Sequence, residues 1–181
     1  SGIRYIGGHP MAGTERSGYE NAFGDLFAGA SMILCPEYCD DEKALKTVSD
    51  FFLEIGFGRI TLSSCAHHDE VIAFTSQLAH VVSSAYIHGR LSTAYSGFSA
   101  GSFADMTRVA RLSADMWTEL FFENGANLSA AIGELIGNLQ KYKAALDAGD
   151  RAAMHALLAE GNARKIESEK LNLPKEGAKK C

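Results

Sequence analysis

From Asp69 to about Leu91 the chain carries apolar residues on nearly every side of a helical projection, among them Val71, Ile72, Phe74, Leu78, Val81, Val82 and Ile87. A helix without a polar face must be buried all round, and a chain of 181 residues has few places to bury one. A second copy covering one face is the economical solution, so a homodimer is expected.

The segment before this helix has a different period. Arg4-Tyr5-Ile6, Ser31 to Cys35 and Arg59 to Leu62 are short apolar runs bounded by Gly or Pro, which predicts three strands. Between the second and third, Asp40-Asp41-Glu42 opens a helix at its positive dipole end, and Ala44, Leu45, Val48, Phe51, Phe52 and Ile55 form a stripe that stops at Gly56. Strand, helix and strand in that order make a parallel crossover. After the apolar helix the pattern predicts a helix around Phe103 to Leu112, another starting after Ser113 as N-cap, and a long pair broken near Ala148-Gly149-Asp150. The expected fold class is therefore α+β. An α/β piece spans residues 1–65, an all-α domain residues 66–172, and a Lys- and Gly-rich tail residues 173–181. The α/β piece is too small for a complete doubly wound domain and has no GxGxxG turn for a dinucleotide.

Composition excludes several classes. Hydrophobic residues at 46% and charged residues at 22% suit a soluble globular protein. A net charge of -5 argues against nucleic acid, since no general positive field displaces phosphate counterions. No apolar run approaches the roughly 20 residues needed to span a bilayer, and the start lacks a basic, apolar leader. No membrane partner and a cytoplasmic location are expected. Cys35, Cys39, Cys65 and Cys181 show no CxxC spacing and read as reduced structural thiols.

Three segments can carry chemistry. In Gly7-Gly8-His9-Pro10-Met11-Ala12-Gly13-Thr14-Glu15, small residues flank a histidine that Pro10 stiffens, at the carboxyl end of the first predicted strand, where open α/β sheets place ligands. Spacing leaves two readings open, a functional imidazole or a turn histidine satisfied by backbone. His67-His68-Asp69-Glu70 opens the apolar helix, and Gln77 and His80 share a face further along it, with His80 about 18 Å from His68 by the helical rise. These groups diverge, which opposes a metal site. For the first turn a solvated, dipole-favoured role is expected. His80 is either a satisfied core histidine or a site residue. In the third segment, Asp105 and Arg108 fall on one helical face, followed by Trp117. They form either a surface ion pair or a clamp that offers guanidinium to a carboxylate.

Together the three segments resemble the prephenate and arogenate dehydrogenases of tyrosine biosynthesis. Gly8 to Glu15, then His68-Asp69-Glu70 with His80, then Phe103-Ala104-Asp105-Met106-Thr107-Arg108-Val109-Ala110 with Trp117 occur in that family's order and spacing, and the similarity runs from about residue 3 to 170. The resemblance implies that residues 1–65 are the Rossmann-like end of a nucleotide-binding domain, its last crossover, and that the helices form a dimerisation domain. It implies that His9 accepts the proton of the ring hydroxyl while hydride leaves the same carbon for NAD or NADP, with loss of carbon dioxide giving 4-hydroxyphenylpyruvate. It assigns the ring carboxylate to Arg108, a gating role to Glu15, and pocket positions to Thr14, Gln77, His80, Asp105 and Trp117. His68 is given a structural role. Gln77 stands where some relatives have histidine and Ala104 where some have lysine, which bears on the choice between prephenate and arogenate.

On this reading the chain is a fragment of such an enzyme, binding no dinucleotide and inactive by itself. A rival reading is a non-catalytic prephenate- or tyrosine-binding module acting as a regulatory dimer. A third is a helical dimer that keeps only the scaffold.

Overall fold

The computed structural model describes residues 3–14 and 18–171. Glu15, Cys181 and the tail over 173–181 lie outside the described residues. By compactness the chain separates into two units, Ser1–Ala131 and Ile132–Cys181.

The first unit is built on a sheet of order β1-β2-β3, with β1 over Gly7–Pro10, β2 over Ser31–Cys35 and β3 over Arg59–Leu62. β2 and β3 pair in parallel from Ser31↔Arg59 to Leu34↔Leu62, joined by helix α1 over Glu42–Glu54, which is the expected crossover. β1 differs from the expectation. It lies at Gly7–Pro10 rather than at Arg4-Tyr5-Ile6, runs antiparallel to β2, and holds His9 inside the ladder opposite Ile33. The reason is tertiary. Gly7 to Pro10 pair residue by residue with Cys35 to Met32, and glycine at position 8 leaves room for the Met32 side chain, whose Cε a Cβ there would approach to 2.6 Å. Pro10 is tolerated at the end of an edge strand, where its missing N–H breaks no ladder bond. Successive residues face opposite sides of a sheet, so His9 projects away from the face on which Gly8 meets Met32.

The core of this sheet is Met32, Leu34 and Phe57, packed by Ile6, Phe27, Ala30, Leu45, Val48, Phe52 and Ile60. Phe57 stacks on Phe27 at 5.0 Å and meets Phe52 edge-on at 5.5 Å. Asp41 caps α1 by accepting from Ala44 N at 3.0 Å and also pairs with Arg4 at 2.7 Å. Of the predicted stripe on α1, Leu45, Val48 and Phe52 reach the core, while Phe51 and Ile55 stay exposed, because three strands cover only a narrow part of the helix.

Behind α1 the chain returns through a tight crossing. Gly29 N donates to Gly56 O and Gly58 N to Ala30 O, both at 2.9 Å, and a Cβ on Gly58 would lie 2.7 Å from the Gly29 carbonyl oxygen. These backbones are pinned to each other, so neither can give way. Gly58→Ala is expected to lower unfolding stability by about 1–3 kcal/mol, the usual range for overpacking. Gly133→Ala, with nothing within 4 Å, is the control and should not destabilise. Denaturant titration of both variants checks this.

Helix α2 runs over Cys65–Ile72, passes through a π-helical turn over Ala73–Gln77 and continues as α3 over Leu78–Ile87. It starts before Asp69 because Ser64 is the true cap, its hydroxyl accepting from His67 N at 3.1 Å. It ends at Ile87 rather than Leu91. The buried stripe is Ile72, Ala73, Gln77, Leu78 and Ser83. Val71, Phe74 and Tyr86 stay exposed, Phe74 at 62%, so within one chain this helix is covered on one side and not all round. Helix α4 spans Gly101–Thr107, shorter than expected, and α5 spans Ala114–Glu123 after Ser113, whose carbonyl accepts the helical bond from Trp117 N.

Helix α6 over Gly125–Asp147 carries the chain into the second unit, where α7 over Arg151–Leu171 follows a turn at the expected place. Gly149 adopts φ 63° there, and Asp150 caps α7 by accepting from Ala153 N at 2.9 Å. Among the described residues no helix is long and apolar enough to cross a membrane.

Candidate active site

β1 and the start of α2 bring two histidines together. His9 Nδ1 lies 2.8 Å from His68 Nε2, with the rings edge to face at 5.1 Å. His68 Nδ1 in turn lies 2.8 Å from Asp69 Oδ1. Burial, and then the neighbouring His68 ring, hold the His9 imidazole below its ordinary value of 6.5. Near pH 7 His9 is therefore neutral and able to take a proton. Its Nδ1 is occupied by His68, which leaves Nε2 for a ligand.

A second group sits on α3 and α5. The His80 ring stacks on Trp117 at 4.0 Å and 29°, and Trp117 packs on Phe121 at 5.3 Å. His80 Nδ1 donates to Ser76 O at 2.9 Å, so in the neutral ring Nε2 is an acceptor. The stack holds both half-buried rings as one flat, partly polar surface.

Gln77 links these groups from below. Its Nε2 donates to Leu120 O at 3.0 Å, and its Oε1 accepts from Asn124 Nδ2 at 3.0 Å. The same Asn124 amide donates to Asp69 O at 2.8 Å, and its Oδ1 accepts from Asn127 at 2.8 Å. Gln77 is only 7% exposed, with both ends of its amide engaged by protein. The side chain thus braces the fold, tying the helix that begins with α2 to the end of α5.

Thr14 follows β1 and is exposed, and Glu15 lies outside the described residues. Asp105 is on α4, and Arg108 closes that helix in helical conformation; both side chains are exposed. The cavity beside α4, about 620 Å³, is walled by Tyr86, Arg90, Tyr95, Phe98 and Phe103 and includes neither His9 nor Arg108. The described contacts therefore form two groups, His9 with His68 and Asp69, and His80 with Trp117, joined through Gln77 and Asn124. His68, Asp69 and Asn124 were absent from the sequence-derived site. The signal that could have found them was His68-Asp69 itself, an imidazole beside a carboxylate on the first turn after a strand.

Cys35, Cys39 and Cys65 are free thiols. A hydrogen bond to Glu37 is the main cause that pushes Cys65 up to about 11, so it stays protonated at neutral pH. The turn after β2 carries Glu37, Asp40 and Asp41 and no glycine-rich sequence. Such a turn repels a pyrophosphate rather than cradling it, so these residues do not by themselves fit a dinucleotide.

Comparison with known proteins gives a consistent result. The family model of the prephenate dehydrogenase nucleotide-binding domain matches residues 1–62, and that of the prephenate dehydrogenase dimerization domain matches residues 64–160. The cyclohexadienyl dehydrogenase of Zymomonas mobilis is 38% identical over 149 residues, covering 78% of this chain and 50% of that protein. The prephenate dehydrogenase of Bacillus subtilis is 28% identical over 83% of this chain and 42% of its own length. Among solved structures, Aquifex aeolicus prephenate dehydrogenase in complex with hydroxyphenyl propionate and NAD+ superposes with a TM-score of 0.79 at 30% identity, over 92% of this chain and 59% of that one. Synechocystis arogenate dehydrogenase gives 0.76 at 26% identity, over 91% and 61%. The chain spans about half the length of the curated relatives it matches.

Proposed function

Because the chain belongs to the prephenate dehydrogenase family of oxidoreductases, we propose that it supplies the proton-accepting and anion-binding side of an oxidative decarboxylation of prephenate to 4-hydroxyphenylpyruvate. The observation that carries this reading is His9, held neutral by burial and with Nδ1 committed to His68. Nε2 is then the base that takes the proton of the ring hydroxyl. In the full-length enzyme NAD or NADP accepts the hydride from the carbon that bears that hydroxyl. The turn after β2 offers no cradle for a pyrophosphate, and the chain alone is expected to turn over no prephenate.

Arg108 grips the ring carboxylate, for which a planar guanidinium fork is the suitable donor. The His80 and Trp117 pair receives the ring, Asp105 and Thr14 contribute to the pocket, and Glu15 takes the gating role that the family resemblance implies. Gln77 and Ala104 bear on whether arogenate is also accepted. Residues 1–65 form the end of the nucleotide-binding domain and residues 66–172 the helical domain. Exposed Val71, Phe74 and Tyr86 on the α2 to α3 helix support pairing of two such domains in a homodimer. We place the enzyme in the cytoplasm.

The pH profile of the full-length enzyme tests the base. A neutral imidazole is required, so kcat/KM is lost as pH falls through the His9 value, and depression of that value keeps activity at pH values below 6.5. An acid limb below 6.5 that disappears in His9→Asn supports the assignment. A profile that is flat there, or a limb retained in the variant, contradicts it.

A further inference from the structure

We propose that His68 and Asp69 are positioning residues that lock His9 in one tautomer, with its proton on Nδ1 and the Nε2 lone pair bare. The inference rests on the reading of His9 as the base and deepens it. A carboxylate oxygen accepts, so the 2.8 Å contact of Asp69 Oδ1 with His68 Nδ1 places a proton on that nitrogen. In the neutral ring His68 Nε2 is then an acceptor. The 2.8 Å contact between His68 Nε2 and His9 Nδ1 accordingly has His9 donating, which leaves its other nitrogen unprotonated.

The direction of this chain matters for the reaction. With the opposite tautomer His9 would present an N–H to the substrate hydroxyl and could not accept its proton. With the tautomer fixed, the hydroxyl proton moves to Nε2 and His9 becomes an imidazolium. Its Nδ1–H still donates to His68, and the Asp69 carboxylate beyond favours the new positive charge without itself taking up a proton. An orienting carboxylate acts on its histidine in the same way in the serine-protease triad.

The chain is also held mechanically. His68 N donates to Ser64 O at 2.9 Å in the first turn of α2, and Asn124 fixes the Asp69 carbonyl at 2.8 Å. The His68 side chain is 20% exposed and that of Asp69 53%, so the carboxylate stays hydrated while the ring between is confined.

Multiple-bond ¹H–¹⁵N NMR of the histidine-labelled chain at about pH 8, above the ordinary imidazole value, reads the tautomer directly. Wild-type His9 is expected to be protonated on Nδ1. His68→Phe removes the acceptor and should move the proton toward Nε2. His68→Gln keeps an acceptor oxygen near the place of Nε2 and should retain the wild-type form. Asp69→Ala, at an exposed side chain, should leave His9 divided between tautomers. A wild-type His9 protonated on Nε2 overturns the proposal, as does a tautomer balance unmoved in His68→Phe or, should that variant not fold, in Asp69→Ala. In the full-length enzyme His68→Phe should lower kcat at least about tenfold at constant KM, with most of the loss restored by His68→Gln. Equal losses in the two variants would show a merely structural role and overturn it. Failure of His9→Asn to slow turnover would instead remove the base reading, leaving the tautomer still measurable.

Discussion

Replacing His9 by asparagine in the full-length enzyme is expected to lower kcat by about 10²–10⁴, the usual contribution of a positioned base, while KM for prephenate changes little. Asparagine is smaller than histidine and keeps one polar contact toward His68, so the β1 ladder opposite Ile33 should survive. It cannot take a proton at neutral pH. The loss therefore falls on the transition state, where the hydroxyl proton must leave, and not on binding of the ring. Steady-state kinetics with prephenate and saturating dinucleotide measure both constants. Turnover at the wild-type level would make His9 a strand residue with no chemical part.

The second large effect is expected at Arg108. Its side chain is exposed at the end of α4 and outside the aromatic cavity beside that helix, so its removal should not collapse a core. A hydrogen bond to a charged group contributes about 1.5–3 kcal/mol, which corresponds to a loss of prephenate affinity of roughly 10–150-fold in Arg108→Ala. Arg108→Lys should restore only part, because an ammonium cannot form the two parallel bonds that a carboxylate accepts from guanidinium. Calorimetric titration of the full-length enzyme with prephenate, without dinucleotide, separates binding from turnover. Unchanged affinity in Arg108→Ala would place the carboxylate on another cation.

The parts of the fold that local pattern decides were legible from sequence. Ser31 to Cys35 and Arg59 to Leu62 are apolar runs between turn residues, and the acidic cap at Asp41 with Leu45, Val48 and Phe52 marks α1; all appear where expected. The turn at Gly149 was legible for the same reason. β1 was displaced because Gly7, Gly8 and Pro10 have little strand propensity, and what makes them a strand is pairing with β2, more than twenty residues away along the chain. The apolar helix read as buried all round because periodicity reports which residues need cover and not whether the same chain provides it.

The site divides in the same way. His9, His80 and Trp117 stood out as polar or aromatic residues at marked places in the pattern. The partnership of His9 with His68 did not, because it joins residues 59 apart, and the His68-Asp69 pair by itself does not say which residue it faces. The bracing role of Gln77 depends on Asn124, 47 residues later, at the end of another helix. Neither link leaves a trace in spacing. Each arises where β1, α2 and α5 come together in the folded unit.

In the proposed reaction His9 and Arg108 act on opposite ends of one bound molecule. A crystal structure of the full-length enzyme with prephenate and no dinucleotide, in which hydride cannot leave, is the sharpest test of that pairing. His9 Nε2 is expected at about 2.6–3.2 Å from the ring hydroxyl, and the Arg108 guanidinium, from the same or the partner subunit, at about 2.7–2.9 Å from the ring carboxylate. A ligand whose hydroxyl faces a different residue, or whose ring carboxylate is held by another cation, would refute it.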